Sequence, residues 1–202
     1  ESGIRGPSAV FGHEVSHAWT MNATGPASNM LREGWATFSE ALVLRDEHGP
    51  DVEADFWNRL RNGYILGSEG RLSILGNPDN GGVHYSKGAW IFHMFDLMLG
   101  DSAFDRGMRE YIEQQAEARP AGYAELIAAM SHAAGRDLTS FAMPWFSEKK
   151  IPDVRADVVG RRVVVSQVQD TPPFDLPLEL ALVTARGTTV RRSIHLRTRA
   201  DT

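Results

Sequence analysis

The sequence of 202 residues contains no cysteine and has fewer basic than acidic residues. Without cysteine there can be no disulfide framework, iron–sulfur cluster, thiolate zinc site or cysteine nucleophile, so any metal must be bound by His, Asp or Glu. The 21 Lys and Arg against 26 Asp and Glu give a net charge of −5. Because phosphate neutralisation needs a concentrated basic face, we expect no nucleic-acid partner. No apolar run approaches the roughly 20 residues that cross a bilayer, so we expect no membrane span in this segment.

The composition present is that of a globular protein, with 42% hydrophobic and 23% charged residues. Helical periodicity extends to about Lys150, after which β-branched residues alternate with polar ones. We therefore predict a mainly α fold, with a helical lobe over residues 1–151 and a partial antiparallel β-strand domain over residues 152–202. About fifty residues are few for an independent sandwich, so we expect this β appendage to be truncated or to dock on the helices.

The spacing of hydrophobic residues, together with the Gly and Pro residues that interrupt it, predicts seven helices. They lie at residues 7–20, from Ser28 or Asn29 to just before His48, and at 52–64, 86–99, 101–118, 123–134 and 138–146. Asp101 and Asp137 are the predicted N-caps of two of them. Residues 66–84 hold five glycines and Pro78 without a clear period, which predicts a long exposed loop. Strands are predicted within 154–168 and 178–199.

The first helix carries the motif His13-Glu14-Val15-Ser16-His17. Four residues make about 1.1 helical turns, so both imidazoles project from one face about 6 Å apart along the axis and can hold one ion. Glu14 lies about 100° round the helix, which suits a general base better than a ligand. A metzincin would need Gly and His where Thr20 and Ala23 stand, so that class is rejected.

The best candidate for a third ligand is Glu33, which opens the second helix. Two histidines and one carboxylate leave the fourth tetrahedral position to water, as in catalytic zinc sites. The ion would lower the pKa of that water to about 7 and polarise a substrate carbonyl. Glu14 would take the proton and pass it to the leaving amine. Tyr85, where the long loop enters a helix, is the candidate donor to the oxyanion.

Each of these residues also has a plainer interpretation. The two histidines are compatible with an inert surface face, Glu33 with a carboxylate favoured by the helix dipole, and Tyr85 with a half-buried core tyrosine. Glu40, two turns after Glu33, either orients a ligand histidine or faces solvent. The remaining histidines lack companions at ligand spacing, so we expect surface or satisfied core residues at His48, His93, His132 and His195; His84 adjoins Tyr85.

Three segments in this order resemble the aminopeptidase N and leukotriene hydrolase family of zinc metallopeptidases, the gluzincins. They are His13-Glu14-Val15-Ser16-His17-Ala18-Trp19, Glu33-Gly34-Trp35-Ala36 and Tyr85-Ser86-Lys87-Gly88-Ala89. The resemblance covers about residues 8–153 and implies a thermolysin-like helical zinc lobe acting on peptides. It also implies one zinc ion on His13, His17 and Glu33, acid and base work by Glu14, and transition-state stabilisation by Tyr85.

Two features depart from the family pattern. Fifteen residues separate His17 from Glu33, where the family commonly has about eighteen. The Gly-x-Met-x-Asn segment that binds the substrate amine in the family precedes the zinc helix and is absent from these 202 residues. We therefore expect the fragment alone to be weakly active or inactive. A catalytically inactive scaffold used for binding, and a metallo-hydrolase acting on a non-peptide bond such as an epoxide, stay open as alternatives.

Overall fold

The chain forms two compact units, residues 1–149 and residues 150–202, which we call the helical unit and the β unit. The computed structural model describes residues 7–76, 82–117, 119, 121–183 and 187–201. The predicted end of the fifth helix at residue 118 and the centre of the predicted 66–84 loop lie outside these described residues. A mainly helical chain followed by antiparallel strands confirms the predicted fold class.

The helical unit contains seven α-helices and one π-helix within its described residues. They are α1 (Pro7–Thr20), α2 (Ser28–His48), α3 (Pro50–Gly67), the π-helix (Gly82–Lys87), α4 (Gly88–Leu99), α5 (Asp101–Ala116), α6 (Tyr123–Ala134) and α7 (Thr139–Ser147). Proline at the first position of α1 and of α3 suits the free N–H positions of a helix start. No helix in the described part of the chain is long and apolar enough to cross a bilayer.

Two predicted N-caps are wrong. Gly100, with φ of +74°, ends α4 and begins α5, which places Asp101 inside the first turn instead. A left-handed φ at this sharp junction favours glycine, while Asp101 still interacts well with the helix dipole. Leu138 precedes α7, and the Asp137 carboxylate accepts from the Thr139 N–H at 2.8 Å.

Helix α2 runs through the core of the helical unit. Its side chains Met30, Leu31 and Leu44 are fully buried. The ring of Phe38 lies 5.4 Å from that of Phe104, in an edge-to-face arrangement. Each such side chain contributes about 1.5–3 kcal/mol on burial, and an aromatic pair about 0.5–1.5 kcal/mol more. The core therefore fixes the position of α2.

Helices α2 and α4 cross in direct backbone contact at two glycines. A Cβ atom on Gly34 would lie 2.8 Å from the carbonyl carbon of Gly88, and one on Gly88 would lie 3.1 Å from the Cα of Gly34. Only glycine at both positions allows this approach. The crossing places the residue after Glu33 against the residue that follows the π-helix.

The predicted long exposed loop over residues 66–84 is confirmed only in part: the described residues 68–76 have no regular structure, but several of the described residues are buried. Ile74 is fully buried, and the π-helix begins at Gly82. The N–H groups of Gly70 and Leu75 donate to the carbonyls of Lys149 and Phe146, at 2.8 and 3.2 Å. These bonds to the end of α7 order residues 70–75, which have no periodicity of their own.

The β unit is built from short antiparallel strands. They are β1 (Val154–Val159), β2 (Arg162–Gln167), β3 (Leu176–Val183), β4 (Thr189–Leu196) and β5 (Ala200–Asp201). One sheet has the order β1-β2-β5 and the other pairs β3 with β4. The buried Gln167 side chain donates to the Phe174 carbonyl and accepts from its N–H, both at 2.8 Å. That pair of bonds ties the β2 strand to the connection that leads into β3.

Candidate metal centre

Helix α1 presents His13 and His17 from one face, with ring centroids 5.0 Å apart. His13 is 7% exposed, whereas His17 is half-buried. The helical repeat alone accounts for this pairing, because residues four apart lie on the same side of a helix. Glu14, one residue on from His13, is exposed.

Helix α2 brings Glu33 to the same point. Its Oε2 atom lies 3.5 Å from the Nε2 of His13 and 3.6 Å from the Nε2 of His17. One ligand atom from each of the three residues lies within 4.8 Å of the other two, and no other such group occurs in the described residues. The connection of fifteen residues is therefore long enough to bring Glu33 to both imidazoles.

That connection is held at Thr24 by the segment between α5 and α6. The Thr24 N–H donates to the Ala121 carbonyl at 3.1 Å, and the Ala121 N–H donates to the Thr24 hydroxyl at 3.2 Å. The same carbonyl accepts from the Tyr111 hydroxyl at 2.8 Å. These bonds fix the path of the chain between His17 and Glu33.

Glu40 is the residue that orients His13. Its carboxylate is fully buried, and its Oε1 atom lies 2.7 Å from the Nδ1 of His13. A proton on Nδ1 leaves the Nε2 lone pair directed at the side where Glu33 lies. The hydrogen bond to Glu40 raises the pKa of His13, against the lowering effect of burial, and the charges of Glu40, Glu33 and Glu14 add to the rise.

The sequence left two interpretations of Glu40, a contact with a histidine or exposure to solvent, and the structure shows the contact with His13. The sequence placed Glu40 two turns after Glu33, on the same side of α2. What the sequence did not reveal is that α1 covers this side and that His13 reaches the carboxylate.

The π-helix carries Tyr85 over the histidine pair. The phenol ring lies parallel to the ring of His13, at an angle of 8° and a centroid distance of 6.0 Å, and the residue is 37% exposed. A partly exposed tyrosine in this place is not a core residue. We call His13, His17 and Glu33 the ligand cluster. The position of Tyr85 suits a hydrogen-bond donor to a substrate that approaches this cluster.

The other histidines lie outside this cluster. His93 stacks on Trp57 at 4.1 Å, and burial lowers its pKa to about 4, with the positive charge of Arg45 acting in the same direction. His48 and His132 each lie beside a surface carboxylate, and His195 lies beside the half-buried Asp175. His84 is buried in the π-helix.

The sequence analysis named Lys87 only as part of the segment Tyr85-Ser86-Lys87-Gly88-Ala89 and assigned it no role. This lysine is 3% exposed, and its Nζ donates to the Glu148 carbonyl at 2.6 Å. Lysine is rarely buried, and the chain contains two others, Lys149 and Lys150. A lysine just before the apolar residues of α4 was the available signal.

Comparison with known proteins matches the profile described as "Peptidase family M1 domain" to residues 80–145, from the π-helix region to α7. The aminopeptidase N of Haemophilus influenzae is 31% identical in an alignment of 214 positions that covers 89% of this chain and 23% of that protein. The aminopeptidase N of Lactococcus lactis is 28% identical over 176 residues, which cover 79% of this chain and 21% of that protein. The chain belongs to the M1 peptidase family. This confirms the family predicted from the three motifs.

Solved structures show the same fold. Aminopeptidase A of Legionella pneumophila, crystallised with aspartic acid, superimposes with a TM-score of 0.72 at 21% identity over 96% of this M1 chain and 23% of that protein. An M1 zinc metallopeptidase from Deinococcus radiodurans gives a TM-score of 0.60 at 19% identity over 70% of this chain and 33% of that one. The chain spans about a fifth to a quarter of the length of the curated relatives named above.

Proposed function

We propose that the whole protein to which this chain belongs is a zinc-dependent aminopeptidase, and that this chain supplies its metal site. The observation that carries the proposal is the convergence of His13, His17 and Glu33 from two helices. The named relatives are aminopeptidases, which supports hydrolysis next to a free peptide N-terminus.

The donor set fits one zinc ion. Two imidazole nitrogens and one carboxylate oxygen are the ligands of catalytic zinc sites that keep a fourth position open. Ligand atoms about 2.0–2.1 Å from a tetrahedral ion lie about 3.4 Å from one another. The distances of 3.5 and 3.6 Å from Glu33 to the two histidines are close to that value. Glu40 holds His13 in the tautomer that such an ion requires.

Zinc, when bound, acts as a Lewis acid that polarises the scissile carbonyl and lowers the pKa of water to about 7. The exposed carboxylate of Glu14, beside His13, takes a proton from the attacking water and passes it to the leaving amine. The Tyr85 hydroxyl donates to the oxygen of the tetrahedral intermediate. His13, His17 and Glu33 hold the zinc ion throughout the reaction.

The proposal is tested by two substitutions in the whole protein. Glu14→Gln is expected to keep zinc near one ion per chain while hydrolysis of chromogenic aminoacyl substrates is lost, because the amide cannot accept the proton. Glu33→Gln is expected to lose zinc as well, because it removes a charged ligand. Glu117→Gln, at an exposed carboxylate that pairs with Arg119, is the matched control.

Two results would contradict the proposal: full turnover by Glu14→Gln, or a Glu33→Gln protein that binds zinc as tightly as the unchanged protein. A third measurement addresses the free amine. Acetylation of the substrate N-terminus is expected to abolish cleavage, and equal cleavage of both substrates would contradict the aminopeptidase part of the proposal.

A further inference from the structure

Lys87 lies in a place where a charged side chain needs a structural reason. It is the last residue of the π-helix, two positions after Tyr85, and is almost completely buried. Its Nζ contacts the Glu148 carbonyl at 2.6 Å and lies 5.6 Å from the centroid of the Tyr64 ring. Burial lowers the pKa of Lys87 to about 8, with the charges of Glu148 and Glu69 opposing the change.

The partner of Lys87 is the carbonyl end of α7. The carbonyls at Phe146, Glu148 and Lys149 accept hydrogen bonds from Leu75 N–H, Lys87 Nζ and the Tyr64 hydroxyl. The last carbonyls of a helix carry partial negative charge and have no partners within the helix, so a cation is favoured there. Lys87 is the cation in this group of contacts.

The π-helix is thus attached at its C-terminal end on two sides. Lys87 attaches it to α7, and Gly88, the next residue, contacts the backbone of Gly34 on α2. Helix α3 ends at Gly67, and none of the described residues 68–76 that follow it is helical. Val83 and His84 of the same π-helix are buried as well, so the position of Tyr85 over His13 depends on the contacts of Lys87 and Gly88 together with this packing.

We infer that Lys87 is a positioning residue for the proposed reaction, because its bond to the end of α7 holds the π-helix so that the Tyr85 phenol stays over the ligand cluster. This inference rests on the proposed function in naming the reaction, but the geometry it describes is independent of turnover. Lys87 touches neither the ligands nor the proposed substrate site and acts through Tyr85.

The kinetic test is a double-mutant cycle in the whole protein. Lys87→Met, which keeps the length of the stem and removes the ammonium, is expected to lower kcat about 10- to 100-fold with KM and zinc content little changed. Lys87→Arg, which keeps a cationic donor, is expected to recover most of the loss. In a Tyr85→Phe background, Lys87→Met is expected to cost almost nothing more, because its effect passes through the lost hydroxyl. Equal losses in both backgrounds would overturn the inference.

A second measurement does not require activity. A 3-fluorotyrosine label in place of Tyr85 reports the surroundings of the phenol by fluorine NMR. The Lys87→Met protein is expected to show a shifted or multiple resonance, Lys87→Arg one near the original, and Lys149→Met, at an exposed lysine, no change. An unchanged resonance in Lys87→Met would overturn the inference, even if the protein hydrolyses no peptide.

Should Lys87→Met fail to fold, Lys87→Gln takes its place in the same measurement, because glutamine keeps a donor on a stem one bond shorter. Loss of aminoacyl hydrolysis in the unchanged protein would count against the proposed function alone. The fluorine spectra would still decide the role of Lys87.

Discussion

Helices α1 and α2 hold the proposed metal ligands, and the π-helix holds Tyr85, in different ways. His13, His17 and Glu33 stand on α1 and α2, where the helical repeat and a buried core fix them. Tyr85 stands on a short segment whose position depends on bonds to residues far along the chain. The proposed metal ligands and the proposed oxyanion donor therefore have separate structural supports, and we expect substitutions to affect one without the other.

Tyr85→Phe is expected to separate turnover from zinc binding more strongly than any other substitution considered below. Loss of one oxyanion donor lowers kcat about 10²- to 10³-fold, while zinc affinity stays the same because no ligand changes. Steady-state kinetics and zinc content of the whole protein measure both. A kcat within threefold of the original would remove Tyr85 from the mechanism.

Gly34→Ala is expected to affect both regions at once. The new Cβ would lie 2.8–2.9 Å from backbone atoms of Gly88, which cannot yield as a flexible side chain does. Overpacking of this kind costs about 1–3 kcal/mol, and we expect the upper end of that range, with a loss of kcat, because α2 and α4 must move apart.

Gly63→Ala is the matched control for that change. No atom lies within 4 Å of a Cβ at Gly63, which stands inside α3. There the same substitution is expected to stabilise the protein by about 0.5–1 kcal/mol. Denaturant unfolding measures both variants, and equal stability of the two would show that the crossing is not tight.

Glu40→Gln is expected to weaken the metal site alone. The amide keeps the shape of the buried side chain but loses the charge that fixes the Nδ1 proton of His13. Zinc affinity should fall about 10- to 100-fold, the usual effect of changing an outer partner of a ligand histidine. Competition with a chelator measures it, and Glu14→Gln serves as the comparison with no expected change in affinity.

The smallest effect concerns His93, which lies away from both regions. Its folded-state pKa of about 4 is below the ordinary 6.5, so the unfolded chain binds more protons between these values. Stability is therefore complete above about pH 6.5 and falls as the pH drops towards 4. His93→Phe is expected to reduce the change in the free energy of unfolding over this pH range by about 1 kcal/mol. An unchanged pH dependence would contradict the lowered pKa of His93.

The sequence was sufficient wherever short-range rules decide the structure. The observed bounds of α1 and α6 equal the predicted ones, and the spacing of His13 and His17 follows from the helical repeat. The pairing of these histidines with Glu33 needed one further assumption, that two helices joined by a short loop lie side by side. The α1 and α2 helices do so.

Sequence reasoning was insufficient where contacts join distant residues. Lys87 and its carbonyl partner are 61 residues apart, and Tyr64 and its partner are 85 apart. No local pattern reveals such bonds, and this is why residues 66–84 looked like an exposed loop. The burial of Glu40 likewise depends on packing between helices, which periodicity leaves undecided.

The acceptors at the end of α7 belong to the main chain. Replacing the side chains of Phe146, Glu148 or Lys149 leaves every one of these oxygens in the polypeptide. Evolutionary drift in the last turn of α7 is thus tolerated as far as this junction is concerned. Among side chains, selection at the junction should fall on Tyr64 and Lys87, the partners that a single codon change can remove.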